Sequence, residues 1–219
     1  MLLRRRGAKN VIQGCKMHKL QAAWKHFKTV TYHKYLVAQG CFQVGLYWQG
    51  IFHDLSKYGP TEFMVGVNYY QGNRSPNDAE REAIGYSSAW LHHKGRNKHH
   101  FEYWLDYNKN ARPGELVPVP MPDKYIAEMI MDRIAACKVY KGKEYTDQDA
   151  YAYFLKGKNM HAMHEYTAKV LEKYLKMLAE YGEERTFRAI RRNLVCKKKL
   201  RGNTKRSDLK LIKKTGKSI

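Results

Sequence analysis

The chain has 219 residues, 43% of them hydrophobic, which is enough to bury one substantial core, is short for two, and excludes disorder throughout. Its formal charge of +21 is concentrated at the ends: residues 1–34 hold 9 basic and no acidic residues, residues 185–219 hold 14 basic residues against Asp208 alone, and residues 35–184 carry 18 basic and 19 acidic. A near-neutral middle with basic arms predicts a conventional globular domain with accessory electrostatics, not a fold built around a polyanion.

The opening MLLRRRGAKN lacks the apolar run of a secretory signal. The longest uncharged run, residues 35–52, contains Gln39, Gln43, Gln49 and three glycines, too polar for a membrane span. Cys15, Cys41, Cys137 and Cys196 are widely spaced and read as reduced thiols. The expected location is therefore cytoplasmic. A first helix is expected over residues 16–38. Ser75-Pro76-Asn77-Asp78 has the form of a capping box with proline at the first helical position, predicting a helix that runs to Lys94 and breaks at Gly95. A proline-rich turn covers 112–122. From 123 to 140, Tyr125, Met129, Asp132, Ala136 and Val139 share one face, which places an acid inside an apolar stripe. Leu171, Tyr174, Leu175, Leu178 and Tyr181 mark a further helix before Gly182, and Phe187, Ile190 and Leu194 continue its spacing. Strand signals are poor. The fold class is thus all-α, with a basic arm over 1–15, one helical domain over 16–184 and a basic extension over 185–219 whose first part is helical. That extension is expected to be solvated, with nucleic acid or another anionic surface as the partner it would suit.

Seven of the ten histidines fall between His26 and His100, and imidazole with carboxylate suits divalent metals. In the run G-I-F-H-D-L-S-K-Y, His53 and Asp54 as successive helical residues could share one ion, and Lys57 follows on the same face as a cation for bound phosphate. Asp132 is expected to ligate metal, because a carboxylate on an apolar face is costly to bury unpartnered. Glu62 and Glu128 are reserve carboxylates for a general base. In Trp90 to Trp104, two histidine pairs flank a Gly-Arg-Asn turn. There, Lys94 and Arg96, with His100, are candidates for gripping substrate phosphate.

With His33 upstream, His53-Asp54 and a distant Asp132, the chain resembles the HD-domain superfamily of metal-dependent phosphohydrolases. More closely, HDLSKYGPTEF, YYQGNRSPNDAEREA, AWLHHKGRNKHHFEYW and MPDKYIAEMIMDRIAA resemble an uncharacterised bacterial family of HD-like proteins with a domain of unknown function, over about residues 16–184. The resemblance implies metal ligands at His33, His53, Asp54 and Asp132, with His93 and one of His99 or His100 for a second ion. His33 is preferred to His26 as the first ligand, since the two are about 10.5 Å apart along one helix and H-K-Y-L-V is similar to the superfamily's first ligand helix. His26 is left to line the cleft. The implied activity is hydrolysis of a nucleotide or other small phosphoester by a metal-activated water, the ion being Mn, Zn, Fe, Mg or Co, one or two in number. The alternatives are an HD-fold di-iron oxygenase and a nucleic-acid-binding protein with an inactive core.

Overall fold

The computed structural model describes residues 19–158 and 162–196, so the N-terminal arm, Cys15 and the tail beyond Cys196 lie outside the described residues. Within them the fold is all-α. Eight helices occur: α1 (Lys19–Val44), α2 (Tyr47–Phe52), α3 (Pro60–Asn68), α4 (Pro76–Ile84), α5 (Ser88–Lys94), α6 (Asp123–Lys141), α7 (Asp149–Gly157) and α8 (Glu165–Ile190). The only described strands are β1 (Leu105–Tyr107) and β2 (Leu116–Pro118), an antiparallel pair inside the segment read as a proline-rich turn. No described helix is long and apolar enough to cross a membrane. Cys41, Cys137 and Cys196 are free thiols.

The core forms where α1, α6 and α8 pack. On α1 the buried residues Ala22, His26, Val30, His33, Val37, Cys41 and Val44 follow one another at three- and four-residue steps, so a single face enters the core and carries two histidines with it. α6 buries Ile126, Met129, Ile130 and Ile134, and α8 buries Leu171, Leu175 and Leu178. Gly40 lets α1 approach α6 closely, since a Cβ there would stand 2.7 Å from the sulfur of Met131. That approach brings His33 within reach of Asp132.

Three boundaries differ from expectation. The first helix runs six residues past 38, because Val37, Cys41 and Val44 keep its buried face continuous. The helix opened by Ser75 stops at Gly85, whose left-handed backbone (φ 85°) caps it, and a separate helix α5 starts after Ser87, whose side chain accepts from Trp90 N–H. Ser75 does cap α4 as expected, accepting from Asn77 N–H at 3.3 Å. The boundary placed at 184 falls inside α8: Gly182 (φ 76°) kinks the helix, but the chain beyond it returns Phe187, Ile190 and Leu194 to the core.

Candidate metal centre

His53 and Asp54 are not successive helical residues. α2 ends at Phe52, His53 is extended (φ −52°, ψ 127°), and Asp54 is left-handed (φ 52°), the sole described non-glycine residue with positive φ. Aspartate tolerates that region better than most residues. The turn swings both side chains inward, and Lys34 pins it by donating to the carbonyls of Ile51 (2.5 Å) and His53 (2.9 Å).

The Asp54 carboxylate then faces two donor groups. Its Oδ2 lies 3.3 Å from His53 Nε2 and 4.0 Å from His33 Nε2, and Asp132 Oδ1 completes this set at 2.9 Å from His33 and 3.5 Å from His53. Its Oδ1 lies 3.3 Å from His93 Nε2 and 3.4 Å from His99 Nε2, with His100 Nε2 2.9 Å from that of His93. Donors bound at about 2.1 Å to one ion sit about 3 to 3.4 Å apart, so both spacings suit a metal. His33 Nε2, His53 Nε2, His99 Nε2 and Asp54 Oδ1 are buried without a hydrogen-bond partner, and Asp54 Oδ2 has only the Lys57 ammonium at 2.6 Å, an arrangement that cations in the two sets would satisfy.

A second layer aims these donors. Glu128 Oε1 accepts from Nδ1 of His53 (3.0 Å) and of His99 (3.1 Å), which directs both Nε2 lone pairs inward. His53, His99 and Glu128 are themselves spaced for an ion, but hydrogen bonds already account for those contacts. Glu62 accepts from Nδ1 of His92 (2.6 Å) and His93 (2.8 Å). Both reserve carboxylates are therefore engaged in orienting histidines. Ser56 and Asn97 also reach His93 Nδ1.

Burial and charge divide the ionisations. Burial alone would raise Asp54 and Asp132, yet the surrounding imidazoles, with Lys57 beside Asp54, hold both well below the ordinary carboxylate range. His33 is pushed down by burial, whereas at His53 and His93 the neighbouring carboxylates outweigh burial and push the rings up. His100 is driven well down by burial and by His99 and His93. Divalent metals require carboxylates and neutral imidazoles, so an ion in this cage would displace the protons that the carboxylates favour on His53 and His93.

The cluster opens into a cavity of about 830 Å³ that follows α6 from Asp132 to Lys141. His26 and Lys57 line it, with Lys57 Nζ 2.6 Å from Asp54 Oδ2. Lys94 and Arg96 do not; the Arg96 guanidinium turns back toward the His92 carbonyl. His26 sits away from the cluster against Phe63 and Tyr70, and Gly66 makes room for it, since a Cβ there would meet its ring at 2.0 Å.

A family of unknown function, DUF5662, matches residues 22–177. The chain belongs to that family. No curated protein and no solved structure matches it. Every candidate ligand of this DUF5662 chain, from His33 to Asp132, lies inside the matched span.

Two cavity residues escaped the sequence reading. Among the described residues Arg133 forms no ion pair, and its Nε is buried without a hydrogen-bond partner; the Oε2 of Glu102 is in the same condition. Nothing in their local sequence marks them, because only the packing of α6 against the loop after α5 places them in one cavity with the histidines.

Proposed function

We propose that this DUF5662 protein is a metal-dependent phosphohydrolase of the HD type acting on a small phosphoester. His33, His53, Asp54 and Asp132 would hold one divalent ion, and Asp54, His93, His99 and His100 a second. The observation that carries the reading is the Asp54 carboxylate, each of whose oxygens meets a separate set of buried imidazole nitrogens, those of His33, His53 and His99 without a hydrogen-bond partner, in a cation-lined cavity. Divalent ions supply Lewis acidity and make water acidic near neutral pH. The mixed imidazole and carboxylate donors suit Mn, Zn, Fe or Co better than Mg.

The chain's own residues then have distinct tasks. Glu128 and Glu62 fix the tautomers and ring angles of His53, His99 and His93. Lys57 offsets charge on the phosphoryl oxygens from its place beside Asp54. Arg133, whose Nε is buried without a hydrogen-bond partner, binds the remaining anionic oxygens through its planar fork. A cavity of about 830 Å³ accommodates a nucleotide-sized substrate.

The test is phosphate release from a panel of phosphoesters by protein loaded in turn with Mn, Zn, Co, Fe and Mg. Metal-dependent release, with a raised KM in Arg133→Ala, supports the reading. Oxygen consumption by the iron form with no phosphate release under any metal would replace it with the di-iron oxygenase.

A further inference from the structure

The metal centre uses only one side of α1. On the opposite side Leu20, Trp24, Phe27, Tyr35 and Phe42 recur at helical spacing, and all are exposed. α2 adds Trp48, 71% exposed, and Phe52, 58% exposed, and Phe42 meets Tyr47 at a centroid distance of 5.7 Å where the two helices join. The rings lie as flat plates: Trp24 is stacked with Phe27 at 5.8 Å and 14°, and Trp48 with Phe52 at 5.9 Å and 12°. Tyr58 meets the edge of Phe27 at a centroid distance of 6.0 Å, but Leu20, Trp24, Tyr35, Trp48 and Phe52 remain largely exposed. Scattered apolar residues are normal on a surface, but a run of this kind along two adjoining helices marks a site of interaction.

Charge decides between partners. Residues 19–53 contain four lysines and no Asp or Glu; Lys34 is held by the carbonyls of Ile51 and His53, which leaves Lys19, Lys25 and Lys28 for a partner, and Lys28 Nζ stands 5.5 Å from the Trp24 ring. A second copy of this face would oppose lysine to lysine with no acid to pair, so an anionic partner is the complementary one. The surface is a helix ridge about 39 Å long at 1.5 Å per residue, convex where a groove for a peptide would be concave. Leu20 and Ile51 offer a base neither a stacking face nor a hydrogen bond, which favours acyl chains over the bases of a nucleic acid. Tryptophan, phenylalanine and leucine flanked by lysine are the composition of helices that lie in a bilayer interface.

The geometry points to the outer face of α1 and α2 as a docking surface for an anionic lipid bilayer. The two helices lie in the headgroup plane, with the rings immersed to the acyl boundary and the lysine stems reaching back to lipid phosphates. His26 and His33 are on the opposite side of α1, so the docked face is not the one that carries ligands.

The full chain is sedimented with phosphatidylcholine vesicles containing roughly 30% phosphatidylglycerol, and with phosphatidylcholine alone. Wild type is expected to bind the anionic vesicles with a blue shift of tryptophan emission, and pure phosphatidylcholine far more weakly. Combined Trp24→Ser, Trp48→Ser and Phe52→Ser is expected to weaken sedimentation by at least about tenfold with an unchanged thermal melt, because all three side chains are exposed. Equal binding by wild type and the triple variant would assign the attraction to the basic ends of the chain and overturn the proposal. So would the absence of vesicle binding, whether alone, with a dimer that the triple variant dissociates, or with single-stranded RNA bound by wild type and released by the variant.

Discussion

Asp54 and His53 are neighbours in sequence, yet Oδ2 of one and Nε2 of the other converge to 3.3 Å because the backbone turns left-handed at Asp54. Lys57 follows within one turn and adds a cation at 2.6 Å. Ligand and charge are thus separable by substitution. His53→Ala removes a donor and is expected to deplete bound metal, whereas Lys57→Ala is expected to retain metal and lose turnover by about 10² or more. Metal analysis and phosphate release on the same preparations check this, and full metal occupancy in His53→Ala would show the site to be misassigned.

Glu128 orients two rings that serve different donor sets, His53 and His99, while Glu62 orients His93 within one set. Glu128→Gln is expected to lower metal affinity about 10- to 100-fold at both positions, and Glu62→Gln chiefly at the position containing His93. Competition with a chromophoric chelator resolves the two steps.

His26 and His33 share the buried face of α1 but have different surroundings. His33→Ala is expected to deplete metal, and His26→Gln to keep it. Burial, aided by Lys57, lowers the His26 pKa from its ordinary value to about 4. Between pH 4 and 6.5 the unfolded chain therefore binds more protons, and stability falls as pH is lowered through that window. From pH 7 to 5 the metal-free wild type is expected to lose about 2 kcal/mol more than His26→Gln, measured by urea unfolding.

Much of this architecture is legible in the residues. Helical spacing marks α1, α6 and α8, the capping residues of α4 are read correctly, and the histidines that gather at the cluster are those singled out by their grouping. What escapes is what depends on tertiary packing. The left-handed turn at Asp54, the closeness of α1 to α6 at Gly40, and the unpartnered Arg133 and Glu102 have no local signature. Lys94 and Arg96 likewise stand next to ligands in sequence without lining the cavity.

Phe187, Ile190 and Leu194 are buried beyond the Gly182 kink. Burial of each contributes about 1.5 to 3 kcal/mol, a large share of a typical net stability of about 5 to 15 kcal/mol. A chain ending after Glu184 is expected to melt more than about 10 °C lower than one ending after Cys196. Equal melting temperatures would place the end of the folded domain before Arg185.

The most direct measurement is the metal content and phosphate release of wild type beside Asp54→Asn and Asp132→Asn. Asp54 touches both donor sets and Asp132 only the one with His33 and His53. The account predicts two ions per chain in wild type, loss from both positions in Asp54→Asn, loss from one in Asp132→Asn, and no phosphate release by Asp54→Asn. Full metal occupancy or undiminished hydrolysis in Asp54→Asn would contradict it.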